Sequence, residues 1–227
     1  MTLENQVKEF YGNIKFPGLY ELDDLLFYKN YQGNPFIQPY REQAYQANNI
    51  LDIGCGTGFI TNLVAFENTN TKITAIDFSD SINVAKNFSS KNDITNITYK
   101  NMSILDFNFK NKFDLIISNG VIHHIPKYVD VFNSLNESGA TTLVLGLYNT
   151  YGKIFKNIVS FRNSLLHKDQ LDVPFQVSFT NKQVIKFLDN YRIEQVYPSF
   201  NTRFVDFSNL LNNHNGGLTI YVFKLKE

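Results

Sequence analysis

The sequence predicts an α/β fold with a doubly wound, mostly parallel sheet of seven strands. Three observations carry that expectation. Short apolar strands alternate with helical stretches from about residue 50 to residue 148, the pattern of a sheet covered on both faces. The first of these strands runs into three glycines at alternate positions, Gly54, Gly56 and Gly58, and a helical stretch begins directly behind them. Hydrophobic residues make up 43% of the 227 positions and aromatic residues 15%, enough for a sizeable core and too much for wholesale disorder.

The elements follow in order. The first 45 residues are rich in Phe and Tyr but have no clear period. Ile50-Leu51-Asp52-Ile53 is the first strand, and the helix behind the glycines runs from about Gly58 to Phe66. Lys72 to Asp77 is the second strand. Ser79 to Phe88 reads as a helix with Ser79, Asp80 or Ser81 as its cap. Ile97-Thr98-Tyr99 is the third strand, and the link from Phe107 to Lys112 is too short for a full helix. Phe113 to Ser118 is the fourth strand, Tyr128 to Leu135 a helix, and Thr141 to Tyr148 the fifth strand. Beyond it, Tyr151 to His167 reads as a helix without an acidic residue, flanked and decorated by Lys153, Lys156, Arg162 and Lys168. Thr180 caps a helix from Asn181 to Asn190, and strands at Ile193 to Tyr197 and Leu218 to Leu225 complete the sheet.

Composition narrows the function classes. Lys plus Arg and Asp plus Glu each total 21, so there is no global positive field to draw nucleic acid or anionic membrane. One cysteine forms no internal disulfide and builds no cysteine-rich metal site, and nothing in the sequence asks for a metal. No apolar run approaches the ~18 residues of a membrane span, and the first ten residues have no signal-peptide core. The expectation is a cytoplasmic protein with no membrane partner.

The glycine segment carries the chemistry. Glycine admits unusual backbone angles and lets a ligand approach the main chain, and the open end of the first strand in such a sheet is where nucleotides dock. The dinucleotide fingerprint would place its third glycine at position 59, where this chain has Phe59. Alternate glycines preceded by Asp52 suit a ligand without a pyrophosphate.

Asp52-Ile53-Gly54-Cys55-Gly56-Thr57-Gly58 resembles the first motif of the class I S-adenosylmethionine-dependent methyltransferases. The likeness continues in Asp77 at the end of the second strand and in Phe113 to His124, with its Asn-Gly-Val-Ile-His-His segment. It extends more weakly to Phe10-Tyr11 with Phe16-Pro17, to Leu147-Tyr148-Asn149-Thr150-Tyr151-Gly152 and to Phe179-Thr180, which resemble a bacterial branch of small-molecule type. The resemblance implies a Rossmann-like methyltransferase fold as a single domain: a lid over residues 1–45, a cofactor core over 46–149, a helical insertion over 150–180 and a closing helix and strands over 181–227. It implies S-adenosylmethionine as cofactor, with S-adenosylhomocysteine as product. Asp52 and the loop Gly54, Cys55, Gly56 and Gly58 would hold it, Asp77 with Phe78 would take the ribose hydroxyls, and Asn119 and Gly120 would border the methionine part. The family often has an acid after the third strand for adenine. Ser103 stands there, so Met102 and the Ser103 backbone are expected to take over, with Asp106 three residues further on. Cys55 is a small loop residue rather than a nucleophile.

The acceptor side rests on His124, Tyr148, Tyr11 and Arg203. A histidine after the fourth strand could take a proton from an acceptor hydroxyl; His123 and His124 read equally as pocket-lining, hydrogen-bonded residues. The basic helix after Tyr148 reads as a contact for an anionic substrate or as a solvated face. Phe10, Tyr11, Phe16, Tyr20, Phe27 and Tyr28 read as a lid over a sulfonium or as plain core packing. The favoured activity is methyl transfer to an O, N or S nucleophile of a small-molecule acceptor. The alternatives are an enzyme modifying RNA or protein and a catalytically silent cofactor-binding module. Nucleic acid is disfavoured by the charge balance, and oligomeric state is not legible.

Overall fold

The computed structural model describes residues 1–16, 18–30, 34, 36–109, 113–150, 173–197 and 217–227. Seven strands form one sheet: β1 (Asn49–Ile53), β2 (Lys72–Asp77), β3 (Ile97–Asn101), β4 (Leu115–Asn119), β5 (Thr142–Tyr148), β6 (Tyr191–Tyr197) and β7 (Leu218–Leu225). Their order across the sheet is β3-β2-β1-β4-β5-β7-β6. The first five pair in parallel, and β7 inserts antiparallel between β5 and β6. The central strands are apolar on both faces because both are covered: all seven residues of β5 are buried, whereas edge strand β3 alternates towards solvent.

Successive residues of one strand feed opposite cores. Leu51 and Ile53 join Phe132, Leu143 and Phe223 on one face, and Ile50 joins Val64, Val144 and Val222 on the other. Helices α4 (Phe59–Glu67), α5 (Ile82–Lys91) and α6 (Tyr128–Asn136) link the parallel strands, and α7 (Asn181–Phe187) precedes β6. Helix α7 begins with a reciprocal capping box between Thr180 and Gln183, and it ends three residues before the predicted Asn190.

The N-terminal segment departs from its expected irregularity. It forms α1 (Leu3–Asn13), α2 (Leu22–Asn30) and α3 (Gln38–Ala44). The first two bury little, Val7 in α1 and Leu25 in α2, whereas α3 buries Pro39, Tyr40, Arg41 and Ala44. A buried ion pair fastens α3 as well. Arg41 of α3 donates from Nε and Nη2 to the two carboxylate oxygens of Glu67 in α4, at 2.9 and 2.5 Å, and from Nη2 to the Lys29 carbonyl at 3.0 Å. Both side chains of that pair are buried.

A second departure lies after β2. Helix α5 starts three residues later than the sequence suggests, because the serines that look like caps are used elsewhere. Ser79 donates its hydroxyl to Asp77 at 2.7 Å, and Ser81 donates to the Tyr11 carbonyl at 3.4 Å. The helix expected from Tyr151 to His167 and the candidate residue Arg203 lie outside the described residues. Among the described residues no helix is long and apolar enough to cross a membrane.

Candidate functional site

Strand order reverses between β1 and β4, and the crevice at such a switch point, beyond the carboxyl ends of the strands, is where open α/β sheets place ligands. A cavity of about 350 Å³ opens there. Its floor is the loop after β1. Gly54, Gly56 and Gly58 have φ of 70°, 55° and 83°, left-handed angles that side chains rarely adopt. The amides of Gly54 and Cys55 both donate to the Ile76 carbonyl, at 2.7 and 3.1 Å, which ties the loop to the end of β2.

The glycines also answer to the chain's own packing. A Cβ on Gly54 would stand 2.4 Å from Val121 Cγ2, one on Gly56 2.4 Å from the Phe16 carbonyl oxygen, and one on Gly58 2.4 Å from Ala85 Cβ. Phe16 accepts from the Thr57 amide at 3.0 Å and from its hydroxyl at 3.3 Å, while Tyr20 donates its hydroxyl to the Thr57 carbonyl at 3.1 Å. Residues 16 and 20 are thus fastened directly to the glycine loop.

Two carboxylates stand beside the loop. Asp77 Oδ2 accepts from the Gly56 amide at 2.8 Å, and Oδ1 accepts from the Ser79 amide and hydroxyl at 2.8 and 2.7 Å. A carboxylate offers about four acceptor positions, so three are taken by the chain itself. Burial pushes the Asp77 carboxyl up from its ordinary pKa, and these three hydrogen bonds oppose the shift. Asp52 is buried, accepts from the Thr61 hydroxyl and is raised from 3.8 to about 7; burial is the main cause, the Thr61 bond works against it and the Asp77 charge adds to it.

Further walls come from the loops after β3 and β4. The Met102 amide donates to the Asp77 carbonyl at 2.9 Å. Ser103 accepts the Leu105 amide at 3.2 Å and caps a short 3₁₀ turn, Ile104–Asp106, so its hydroxyl already serves the fold. Asp106 is exposed and does not line the cavity. Asn119 accepts from the Tyr40 hydroxyl at 3.1 Å, and Gly120, at φ 77°, donates to the Gly146 carbonyl at 3.0 Å.

His123 and His124 sit on a 3₁₀ turn, Ile122–His124, and both are buried. His124 Nδ1 lies 3.1 Å from the Phe175 carbonyl oxygen. A carbonyl only accepts, so Nδ1 carries the proton and the basic lone pair is on Nε2. The Tyr11 ring lies 5.6 Å from that of His124. His123 instead accepts the Tyr148 amide at Nδ1, 3.4 Å away, and its ring packs on Tyr148 at 3.9 Å.

Of the residues expected at the cofactor, Asp52, Gly54, Cys55, Gly56, Asp77 and Phe78 line the cavity, as do Met102, Ser103, Asn119 and Gly120. Gly58 does not; it lets α4 approach Ala85 of α5. On the acceptor side Tyr11 and His124 reach the cavity, and Tyr148 is buried against His123 behind the wall. The sequence reading of the aromatics divides: Tyr11 and Phe16 line the cavity, Tyr20 and Tyr28 pack around Leu25 and Leu63, and Phe27 is exposed. Glu4, Val7, Ile14, Phe59 and Ser79 also line the cavity without having been anticipated. For Ser79 a signal existed, since an aspartate side chain commonly accepts from the backbone amide two residues on.

The family described as "Methyltransferase domain" matches residues 45–166. A malonyl-[acyl-carrier protein] O-methyltransferase of Bacillus anthracis is 30% identical over 116 residues, covering 49% of this chain and 42% of that protein. A bifunctional methyltransferase of Rickettsia bellii is 37% identical over 92 residues, 38% of this chain and 15% of that one. The chain therefore aligns with less than half the length of either relative. Among solved structures, the magnesium protoporphyrin IX methyltransferase of Synechocystis PCC 6803 with bound S-adenosylmethionine superimposes with a TM-score of 0.63 at 13% identity, over 100% of this chain and 98% of that one.

Proposed function

The chain belongs to the methyltransferase-domain family, and from that premise we propose that it is an S-adenosylmethionine-dependent methyltransferase acting on a nucleophile of a small molecule. The observation that carries the reading is the left-handed glycine loop whose Gly56 amide is held by Asp77 at the mouth of a 350 Å³ cavity. The cavity lies within the ~300–1,000 Å³ usual for small-ligand sites, and its carboxylates suit a cation.

When bound, S-adenosylmethionine supplies a methyl group already activated by a positively charged sulfur. The chain's task is then mainly alignment, which can contribute about 7–11 kcal/mol in favourable cases. Asp77 would bind the ribose, using its one remaining acceptor position and a second released by rotation of the Ser79 hydroxyl. The backbone around Gly54 and Gly56 would border the methionine part together with Asn119 and Gly120, and Met102 and Ser103 the adenine. His124 would receive the acceptor's proton at Nε2, held in register by the Phe175 carbonyl. Tyr11 would cover the reacting atoms and exclude water, as the part of the 1–45 cap nearest to His124. The small-molecule reading draws support from the balanced charge of the chain and from the named activity of a structural neighbour, the magnesium protoporphyrin IX enzyme.

The test is methyl transfer from labelled S-adenosylmethionine into an extract of small metabolites, beside parallel arms containing total RNA and total protein. Label entering the metabolite arm is expected. Label confined to RNA or protein, or an absence of transfer despite tight cofactor binding, overturns the proposal.

A further inference from the structure

Helix α1 lies lengthwise on the cavity. Its lining residues, Glu4, Val7 and Tyr11, with Ile14 at the C-cap, are spaced three, four and three apart, the stripe of a single helical face. Glu9 and Asn13, on other faces, are exposed, as is Lys8 one turn after Glu4. The Tyr11 end is fixed: its ring stands 5.6 Å from His124, and its carbonyl accepts from Ser81. Seven residues separate Tyr11 from Glu4, about 10 Å along the axis at ~1.5 Å per residue. Between them the face is apolar, with Val7 buried.

At the far end stands Glu4, half-buried, with no hydrogen-bond or ion-pair partner among the described residues. It lies in the first turn of α1. The other charged residues on the cavity wall, Asp52 and Asp77, are acidic too, and no Lys or Arg lines it among the described residues.

We propose that α1 and the His124 turn form the acceptor site, and that it takes an amphipathic molecule with an apolar body and a cationic or hydrogen-donating end, the charged end pairing with Glu4 about 10 Å from the atom that is methylated. This rests on the methyltransferase reading and gives it a substrate class. An acidic acceptor would meet Glu4 on a wall that offers no Lys or Arg among the described residues, whereas an ammonium would find in Glu4 a partner.

The test uses the full chain saturated with S-adenosylhomocysteine and three probes of equal length, amino-octanol, octanediol and hydroxyoctanoate, each with its two groups at opposite ends. Calorimetry is expected to rank them in that order, with amino-octanol ahead of octanediol by about fivefold, the scale of a partly screened ion pair. Glu4→Gln should erase the lead of the amine, and Glu4→Lys should transfer it to hydroxyoctanoate, with S-adenosylhomocysteine affinity unchanged in both. Equal or tighter binding of hydroxyoctanoate by the natural chain, an amine preference that survives Glu4→Gln, or binding of none of the three overturns the inference alone. Failure of S-adenosylhomocysteine to bind overturns the methyltransferase reading beneath it.

Discussion

Asp52 and Asp77 stand within one electrostatic neighbourhood and are both pushed towards the protonated form by burial. For Asp52 the folded pKa of about 7 lies above the ordinary 3.8. The native state therefore holds a proton that the unfolded chain releases. Stability from this group is complete below pH 3.8 and is lost as pH rises towards 7. Binding of a cation runs the other way, since it favours the carboxylate. S-adenosylmethionine affinity is therefore expected to increase from pH 6 to pH 8 (about a unit either side of that pKa), and Asp52→Asn should flatten the profile in titration calorimetry. Asp77→Ala should weaken S-adenosylmethionine binding by about 1.5–3 kcal/mol, the range for hydrogen bonds to charged groups. The same substitution also removes the acceptor for Gly56 and Ser79, so urea midpoints recorded beside the affinities should fall; an unchanged affinity would remove the ribose role. Asp77 was legible in the sequence because it ends an apolar strand. Its partner Ser79 reads as a helix cap in the sequence, since a serine before a helix satisfies both patterns equally well.

At the scale of elements, the strands were readable and the N-terminal helices were not. β2 and β7 have the predicted bounds, because an apolar run between turn residues leaves little latitude. Helices α1 and α2 each bury too little to print a clear period, and α3 is seven residues long with a charged side chain among its buried ones. That side chain, Arg41, is held in a fork by Glu67. Burial works against the charge on Arg41, but the hydrogen bonds and charge of Glu67 outweigh it and raise the guanidinium's pKa. Glu67→Ala would leave that cation buried without its partner, a loss of about 3–5 kcal/mol. Urea denaturation checks the expectation. A cost below about 1 kcal/mol would mean that α3 is seated by its apolar contacts, such as Tyr40 and Ala44, instead.

For the whole molecule, the cavity draws walls from at least six separate places: α1, the stretch around Asn34 and Ile37 before α3, the glycine loop with the start of α4, the end of β2, the turn after β3 and the turn after β4. A ligand that bridges them stabilises the native state and not the unfolded chain. S-adenosylhomocysteine at a hundred times its dissociation constant should add about 2.7 kcal/mol. That is roughly 5–11 °C in melting temperature for a chain of this size, at about 2–4 °C per kcal/mol, readable by calorimetry. The same arrangement explains what the sequence withheld about the site. Residues such as Glu4 and Phe59 acquire their place only when distant segments meet, and no local pattern encodes that meeting.

The fastening of Phe16 and Tyr20 to Thr57 has one more consequence. Two stretches some forty positions apart interlock through a main-chain contact, Thr57 to Phe16, that side-chain replacement cannot easily rewrite, and through the hydroxyls of Tyr20 and Thr57 beside it. Anyone transplanting the glycine turn into another scaffold would have to bring the N-terminal arm along as a matched half.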